Sequence, residues 1–148
     1  MNNVRILLVD DDESDIILFQ RLCQRAELKR PIVVASDAVD ALKILKGHAE
    51  ALAPPGTYIV VTDINMPGMS GHDLIREIRD DPALHQLVIF VVSTSDLERD
   101  VQLAFDQNVA GYIVKDDEGV RLWAAVKMLR NLCDASVFAP ISSAASSA

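Results

Sequence analysis

Short runs of aliphatic and β-branched residues alternate along the chain with longer stretches whose apolar positions recur every three or four residues. The runs lie at residues 4–9 (VRILLV), 32–35 (IVVA), 58–62 (YIVVT), 87–92 (LVIFVV) and 111–114 (GYIV), each apolar almost throughout, as in strands covered on both faces. The helical stretches fall between them. The first, 14–28, carries Ile16, Phe19, Leu22, Cys23 and Ala26 on one stripe, and the second, 37–46, repeats Ala38, Ala41, Leu42 and Leu45. A third follows Ser70 with Leu74, Ile75 and Ile78. The fourth is expected to open with a capping box of Ser95 and Glu98, to present Leu97, Val101, Ala104 and Phe105, and to stop near Asn108. The fifth, 118–132, is apolar almost all round, with Val120, Leu122, Trp123, Val126, Met128, Leu129 and Leu132, and so calls for a second surface to cover it.

This order predicts an α/β fold, a (βα)5 chain wound into an open, five-stranded parallel sheet with helices on both faces. In such sheets the ligand crevice lies at the carboxyl ends of the central strands, where the strand order reverses. The residues that follow strands one, three, four and five are Asp10 with Asp11, then Asp63, then Ser93 with Thr94, and finally Lys115. Carboxylates gathered there repel by roughly 4 kcal/mol per pair at about 4 Å and an effective dielectric near 20. A hard divalent cation with oxygen ligands relieves that, and Mg2+ suits a site with few carboxylates and room for water and a phosphate oxygen. A carboxylate beside such an ion can attack a phosphoryl group, with a lysine and a hydroxyl stabilising the equatorial oxygens. Asp63 ends its strand, and Met66-Pro67-Gly68 keep the next backbone as a loop that can lend a carbonyl to the metal.

Composition narrows the remaining classes. The chain has 148 residues, half of them hydrophobic and 24% charged, the profile of one compact domain. A net charge of -8 argues against a nucleic-acid surface, which needs clustered lysine and arginine. No leader pattern and no apolar stretch of membrane-spanning length is present in the sequence, so a cytoplasmic location is expected, with no membrane partner. Cys23 and Cys133 stand in no metal-ligand spacing and read as ordinary partly buried thiols. His48, His72 and His85 lie in loops or at a helix start and read as surface residues.

Asp63, Asn65, Met66, Pro67, Met69 and Gly71 match the D-x-N-M-P-x-M-x-G segment of receiver domains in two-component response regulators. The hydroxyl Ser93, the aromatic Tyr112 and Lys115 fall at that family's separations, so the chain from about residue 4 to 132 resembles a receiver of flavodoxin-like fold. The resemblance implies that Asp63 is the phosphoacceptor. It further implies that Asp11 binds Mg2+ directly, Asp10 directly or through water, and Asn65 through its backbone carbonyl, while Asp12 caps the first helix. Lys115 would pair with the phosphate, and Ser93 would take a phosphate oxygen and draw its loop inward as Tyr112 turns into the space vacated. The expected donor is a sensor histidine kinase, and the chain would be a signalling phosphoacceptor rather than an enzyme.

Two departures from the family pattern stand out: Asp116 replaces the proline that usually follows the lysine, and the connection 47–56 is long. Both resemble the stand-alone receivers that serve phytochrome-type histidine kinases. So does the tail Val137-Phe138-Ala139-Pro140, which in those relatives packs on a second subunit. The expectation is therefore a receiver domain over 1–133 and an extension over 134–148, in part dimer-packing and in part disordered. A homodimer would be built on the fourth helix, fifth strand, fifth helix and tail, with Trp123 and Phe138 in the contact. Too few residues follow 132 for an output module, so output is expected through a partner or a phosphorelay. The competing readings are a small Mg2+-dependent phosphohydrolase, which would carry a D-x-D pair after the first strand, and a flavodoxin-like mononucleotide binder, which would place a Ser/Thr/Gly-rich loop there.

Overall fold

Alternate residues of each strand point to opposite faces of a sheet, and here the alternation sorts the chain into two apolar layers. The computed structural model describes residues 4–47 and 56–141. Among these, β1 (Val4–Val9), α1 (Glu13–Arg25), β2 (Ile32–Ala35), α2 (Ala38–Lys46), β3 (Thr57–Thr62), α3 (Gly71–Asp80), β4 (Val88–Ser93), α4 (Glu98–Asp106), β5 (Gly111–Val114) and α5 (Val120–Ala135) follow in order. The strands form one parallel sheet in the order β2-β1-β3-β4-β5. The predicted doubly wound architecture is the one observed. Most of the long connection, residues 48–55, lies outside the described residues.

Ile6, Leu8, Ile59, Val61, Phe90 and Val92 face α1 and α5, where they meet Phe19, Cys23, Leu122, Val126 and Leu129. Leu7, Val9, Val60, Ile89 and Val91 face α2, α3 and α4, where they meet Ala41, Leu45, Leu74, Ile75, Ile78 and Ala104. The central β3 is buried along its whole length. The edge strand β5 is only half-buried, which corrects the expectation that every strand is covered on both sides. Both cysteines are buried, deeper than the partly buried thiols expected from the sequence, and burial pushes the Cys23 thiol up to about 12, with Cys133 adding to the effect.

Several local features differ from those predicted. β4 runs one residue further, so that Ser93 closes the ladder opposite Val114. The box expected at Ser95 and Glu98 does not form: Leu97 occupies the cap position of α4 without a side-chain bond, and the Ser95 hydroxyl donates instead to Asp100. A capping box forms at α3, where Ser70 and Asp73 satisfy each other's backbone N–H groups. α5 starts after Gly119, whose φ of 72° lies in the left-handed region that glycine adopts without strain.

The tail takes a route of its own. After α5, Phe138 is buried among the residues facing α1 and α5, while Ile141 packs on the opposite layer and its N–H donates to the Gly56 carbonyl at 3.1 Å, just before β3. Residues 138–141 therefore pass from one layer to the other at the end of the sheet where β3 begins. Val137 is left 77% exposed. Trp123 lies under two cations of its own chain, with Arg25 and Lys127 5.1 and 5.2 Å from the ring centroid.

Arg79 fastens the far side of α3. Its guanidinium donates to the carbonyls of Gln107 (2.8 Å), His85 (2.7 Å), Leu87 (2.8 Å) and Asn108 (3.0 Å), joining the α3–β4 and α4–β5 connections. Burial pulls its pKa below the ordinary arginine value, but the planar fork stays charged and matches these acceptors as an ammonium would not. Arg79→Met is expected to cost about 2–4 kcal/mol and Arg79→Lys about half as much. Urea unfolding midpoints of the two variants check the ranking.

Candidate functional site

The parallel ladder does not stop where the strands do. Asp10 N–H donates to the Ala35 carbonyl (3.1 Å), Asp63 N–H to the Val9 carbonyl (3.0 Å) and Lys115 N–H to the Ser93 carbonyl (2.8 Å). These bonds carry the ends of β1, β3 and β5 to one rim of the sheet. Asp10, Asp11 and Asp63 each offer a carboxylate oxygen within 4.8 Å of the others, the only such acidic group among the described residues. The convergence predicted from the sequence is present for these three and for Lys115. The Asp10 side chain is buried, Asp63 is half-buried and Asp11 is open to solvent.

Backbone donors orient the carboxylates. Asp12 N–H donates to Asp10 Oδ1 at 2.9 Å, and Ile64 N–H and Asn65 N–H donate to Asp63 Oδ1 at 2.7 and 3.4 Å. Asp12 caps α1 by accepting from Ser14 and Asp15 N–H groups. Gly71, the first residue of α3, lies so near Asp63 that a Cβ there would stand 2.0 Å from the Asp63 carbonyl oxygen. Its N–H donates to the Ile64 carbonyl at 2.8 Å, which folds the Asn65-to-Ser70 loop back over the rim. The glycine of the D-x-N-M-P-x-M-x-G segment thus has a steric reason to be there.

Lys115 is 14% exposed in its side chain and bonds to Asp15 Oδ2 at 2.8 Å and to Asp10 Oδ2 at 3.4 Å. Burial works to lower its pKa, but the Asp15 hydrogen bond and the charges of Asp10 and Asp63 outweigh that and raise it. Asp10 is shifted up, chiefly by burial; the Asp12 N–H and Lys115 oppose the shift, and Asp63 and Asp15 add to it. A cavity of about 270 Å3 opens beneath these groups, lined by Asp10, Asp15, Asp63, Thr94, Lys115 and Asp116 over an apolar floor that includes Phe19 and Leu122. Asp116, which stands where a proline was expected, keeps one buried carboxylate oxygen without a hydrogen-bond partner.

Ser93 is fully buried, and its hydroxyl oxygen accepts from the Ser95 N–H at 3.2 Å. Thr94, not Ser93, lines the cavity. Tyr112 is half-buried and its hydroxyl donates to the Ser95 carbonyl at 2.9 Å; burial raises its pKa, against hydrogen bonds from Ser95 and Ser93. The Ser95 hydroxyl meets Asp100 Oδ2 at 2.5 Å, and Asp100 Oδ1 meets His72 Nε2 at 3.2 Å. Sequence reasoning missed Asp15, Asp100 and His72. Asp15 lies one helical turn past Asp11 and was legible as a rim acid from that spacing, whereas the pairing of His72 with Asp100 joins two helices across 28 residues.

Residues 6–127 match the response regulator receiver domain family. The chain is 27% identical over 110 residues to response regulator Rcp1 of Synechocystis sp., covering 74% of this chain and 75% of that protein. It superposes on the crystal structure of the phosphorylated cyanobacterial phytochrome response regulator RcpA with a TM-score of 0.78 and 27% identity, covering 96% of this chain and all of that one. The Mn2+-bound form of Rcp1 superposes with a TM-score of 0.78 at 24% identity, covering 92% of this chain and 98% of that one, which bears on the fold alone. With the family match spanning most of its length and the acidic rim at the expected strand ends, the chain belongs to the response regulator receiver domain family, whose members are signalling phosphoacceptors rather than enzymes.

Proposed function

We propose that the chain takes a phosphoryl group from a histidine kinase onto the Asp63 carboxylate. The observation that carries this is the meeting of Asp10, Asp11 and Asp63 at one rim with Lys115 beside them. In the transfer, an Asp63 oxygen bonds to phosphorus as the phosphorus–nitrogen bond to the kinase imidazole breaks, and the imidazole leaves with its electron pair and gains a proton. The backbone donors on Asp63 Oδ1 hold the carboxylate plane fixed for that attack.

Receiver domains bind Mg2+ or Mn2+ at an acidic site, and three carboxylate oxygens with a nearby loop carbonyl make a donor set suited to such an ion. In this chain we assign Mg2+, held by Asp10, Asp11, Asp63 and the Asn65 carbonyl. Bound there, the ion offsets the carboxylate charge and the charge of the incoming phosphoryl oxygens. Lys115 would move to a phosphoryl oxygen, and the Ser93 hydroxyl would take another, with Thr94 beside it on the cavity wall. Tyr112 and Ser95 would report the change, since both are tied to the Ser93 loop. A shift from nearly all inactive to nearly all active requires about 5.5 kcal/mol of differential stabilisation.

The likeness to Rcp1 and RcpA supports a phytochrome-type kinase as donor, and a receiver domain is consistent with a cytoplasmic site of action. Among the described residues no helix is long and apolar enough to cross a membrane. For the homodimer, support narrows to α4, β5 and α5 with exposed Val120, Met128 and Val137, because Phe138 is engaged by its own core and Trp123 by its own cations.

Incubation with Mg2+ and acetyl phosphate is expected to give a single hydroxylamine-labile adduct, absent in Asp63→Asn. An adduct that persists in that variant, or turnover of a phosphomonoester, would overturn the assignment. Mg2+ at a hundredfold excess over its Kd is expected to stabilise the protein by about 2.7 kcal/mol. Asp11→Asn should lose that gain, and Asp10→Asn should raise the metal-free stability by about 1 kcal/mol by removing a buried charge and, with it, repulsion from Asp63 and Asp15; thermal midpoints with and without Mg2+ check both. Asp100 is held below its ordinary pKa first by the Ser95 hydroxyl and then by His72 and Arg99, with burial opposing. A depressed carboxylate contributes stability that is full above its ordinary range and is lost as pH falls through the lowered value. The stability gap between wild type and Asp100→Asn is therefore expected to be constant above about pH 5 and to shrink as pH falls below it, through the ordinary aspartate range and beyond, as read from urea midpoints.

A further inference from the structure

The ammonium that must serve the phosphoryl group already has a partner. Both carboxylate bonds of Lys115, to Asp15 and to Asp10, run to the β1–α1 side of the rim, and Asp63 acts on it through space. The shorter of the two goes to Asp15, at 2.8 Å. Asp15 stands outside the acidic trio of Asp10, Asp11 and Asp63. A cation on that trio therefore engages Asp10 and leaves Asp15 as the carboxylate still holding the lysine. The Asp15 backbone cannot drift, because its N–H donates to the capping Asp12 carboxylate at 3.2 Å in the first turn of α1.

Building on the phosphoacceptor reading, we propose that Asp15 is a positioning residue that competes with the phosphoryl group for Lys115 and so sets how tightly the site holds that group. As Lys115 turns to a phosphoryl oxygen on Asp63 it loosens its short charge-assisted bond to Asp15, so that its own contribution to the phosphorylated form is the difference between the two bonds. The exchange leaves Asp15, 37% exposed in its side chain, free to turn to water. A carboxylate at this place makes the site weaker and more readily reversible than the same rim without it. Asparagine keeps the size and loses the charge, so its effect isolates the competition.

The experiment measures binding of beryllofluoride, with Mg2+, to the whole chain by intrinsic Trp123 fluorescence or by calorimetry. Asp15→Asn is expected to tighten binding about tenfold, and Asp15→Glu to return it toward wild type. Asp117→Asn removes an equal charge from the same cavity wall and should change binding less than about twofold. In a Lys115→Met background the gain from Asp15→Asn should vanish, a coupling that a purely structural or long-range charge effect would not produce. Unchanged or weaker binding in Asp15→Asn, an equal gain in Asp117→Asn, or a gain that survives Lys115→Met would each overturn the inference. Failure of wild type to bind beryllofluoride at all would instead remove the phosphoacceptor reading beneath it.

Discussion

Mutual repulsion of carboxylates confined at one rim is the constraint on which the rest of this structure depends. Asp10 is held nearly out of water beside Asp63, with Asp11 at the solvent edge. The backbone prevents the group from dispersing, because the ladder bonds that continue past β1 and β3 fix Asp10 and Asp63 as firmly as residues within a strand. Two responses to the repulsion remain, a cation from solution and a cation from the chain. Lys115 is the second, and its raised pKa reflects how many negative charges surround it. The fold thus stores a need for positive charge at the place where chemistry is proposed, and the buried β3 is what keeps that need from relaxing.

The rim is rigid on one side and articulated on the other. Around Asp63, the close approach of Gly71 and the capping box of α3 leave the backbone little freedom. Past Ser93 the loop is held by side chains rather than by ladder: Ser95 bonds to Asp100, Asp100 to His72, and Tyr112 to the Ser95 carbonyl. Bonds of that kind can be exchanged singly, each at a cost of about 0.5–1.5 kcal/mol. A loop tied in this way can take a second arrangement without disturbing the sheet. The bridge from α3 to α4 through His72 and Asp100 also links the acceptor loop to the loop that would respond.

Much of this was legible in the sequence, for physical reasons that also mark its limits. Strand and helix order followed from period, and the convergence of Asp10, Asp63 and Lys115 followed from topology, since a parallel sheet brings its strand ends together whatever the loops do. Capping was less legible. Ser70 with Asp73 and Ser95 with Glu98 look equally suitable in sequence, and which one closes depends on where the loop before it leads. The hydroxyl next to the cavity was ambiguous between Ser93 and Thr94 because one extra residue of strand turns one inward and the other toward the opening. The partner of Lys115 could not be read from spacing, as a long side chain selects among carboxylates 100 or more positions away by distances of less than an ångström.

The tail that passes from Phe138 to Ile141 lies at the opposite end of the sheet from the acidic rim. It touches both apolar layers and is tied to the start of β3, the strand whose other end carries Asp63. A clasp in that place divides the domain into a fastened base and an open crown. Rearrangement at the crown can then proceed while the base stays shut, so signalling motion need not draw on the free energy that keeps the chain folded.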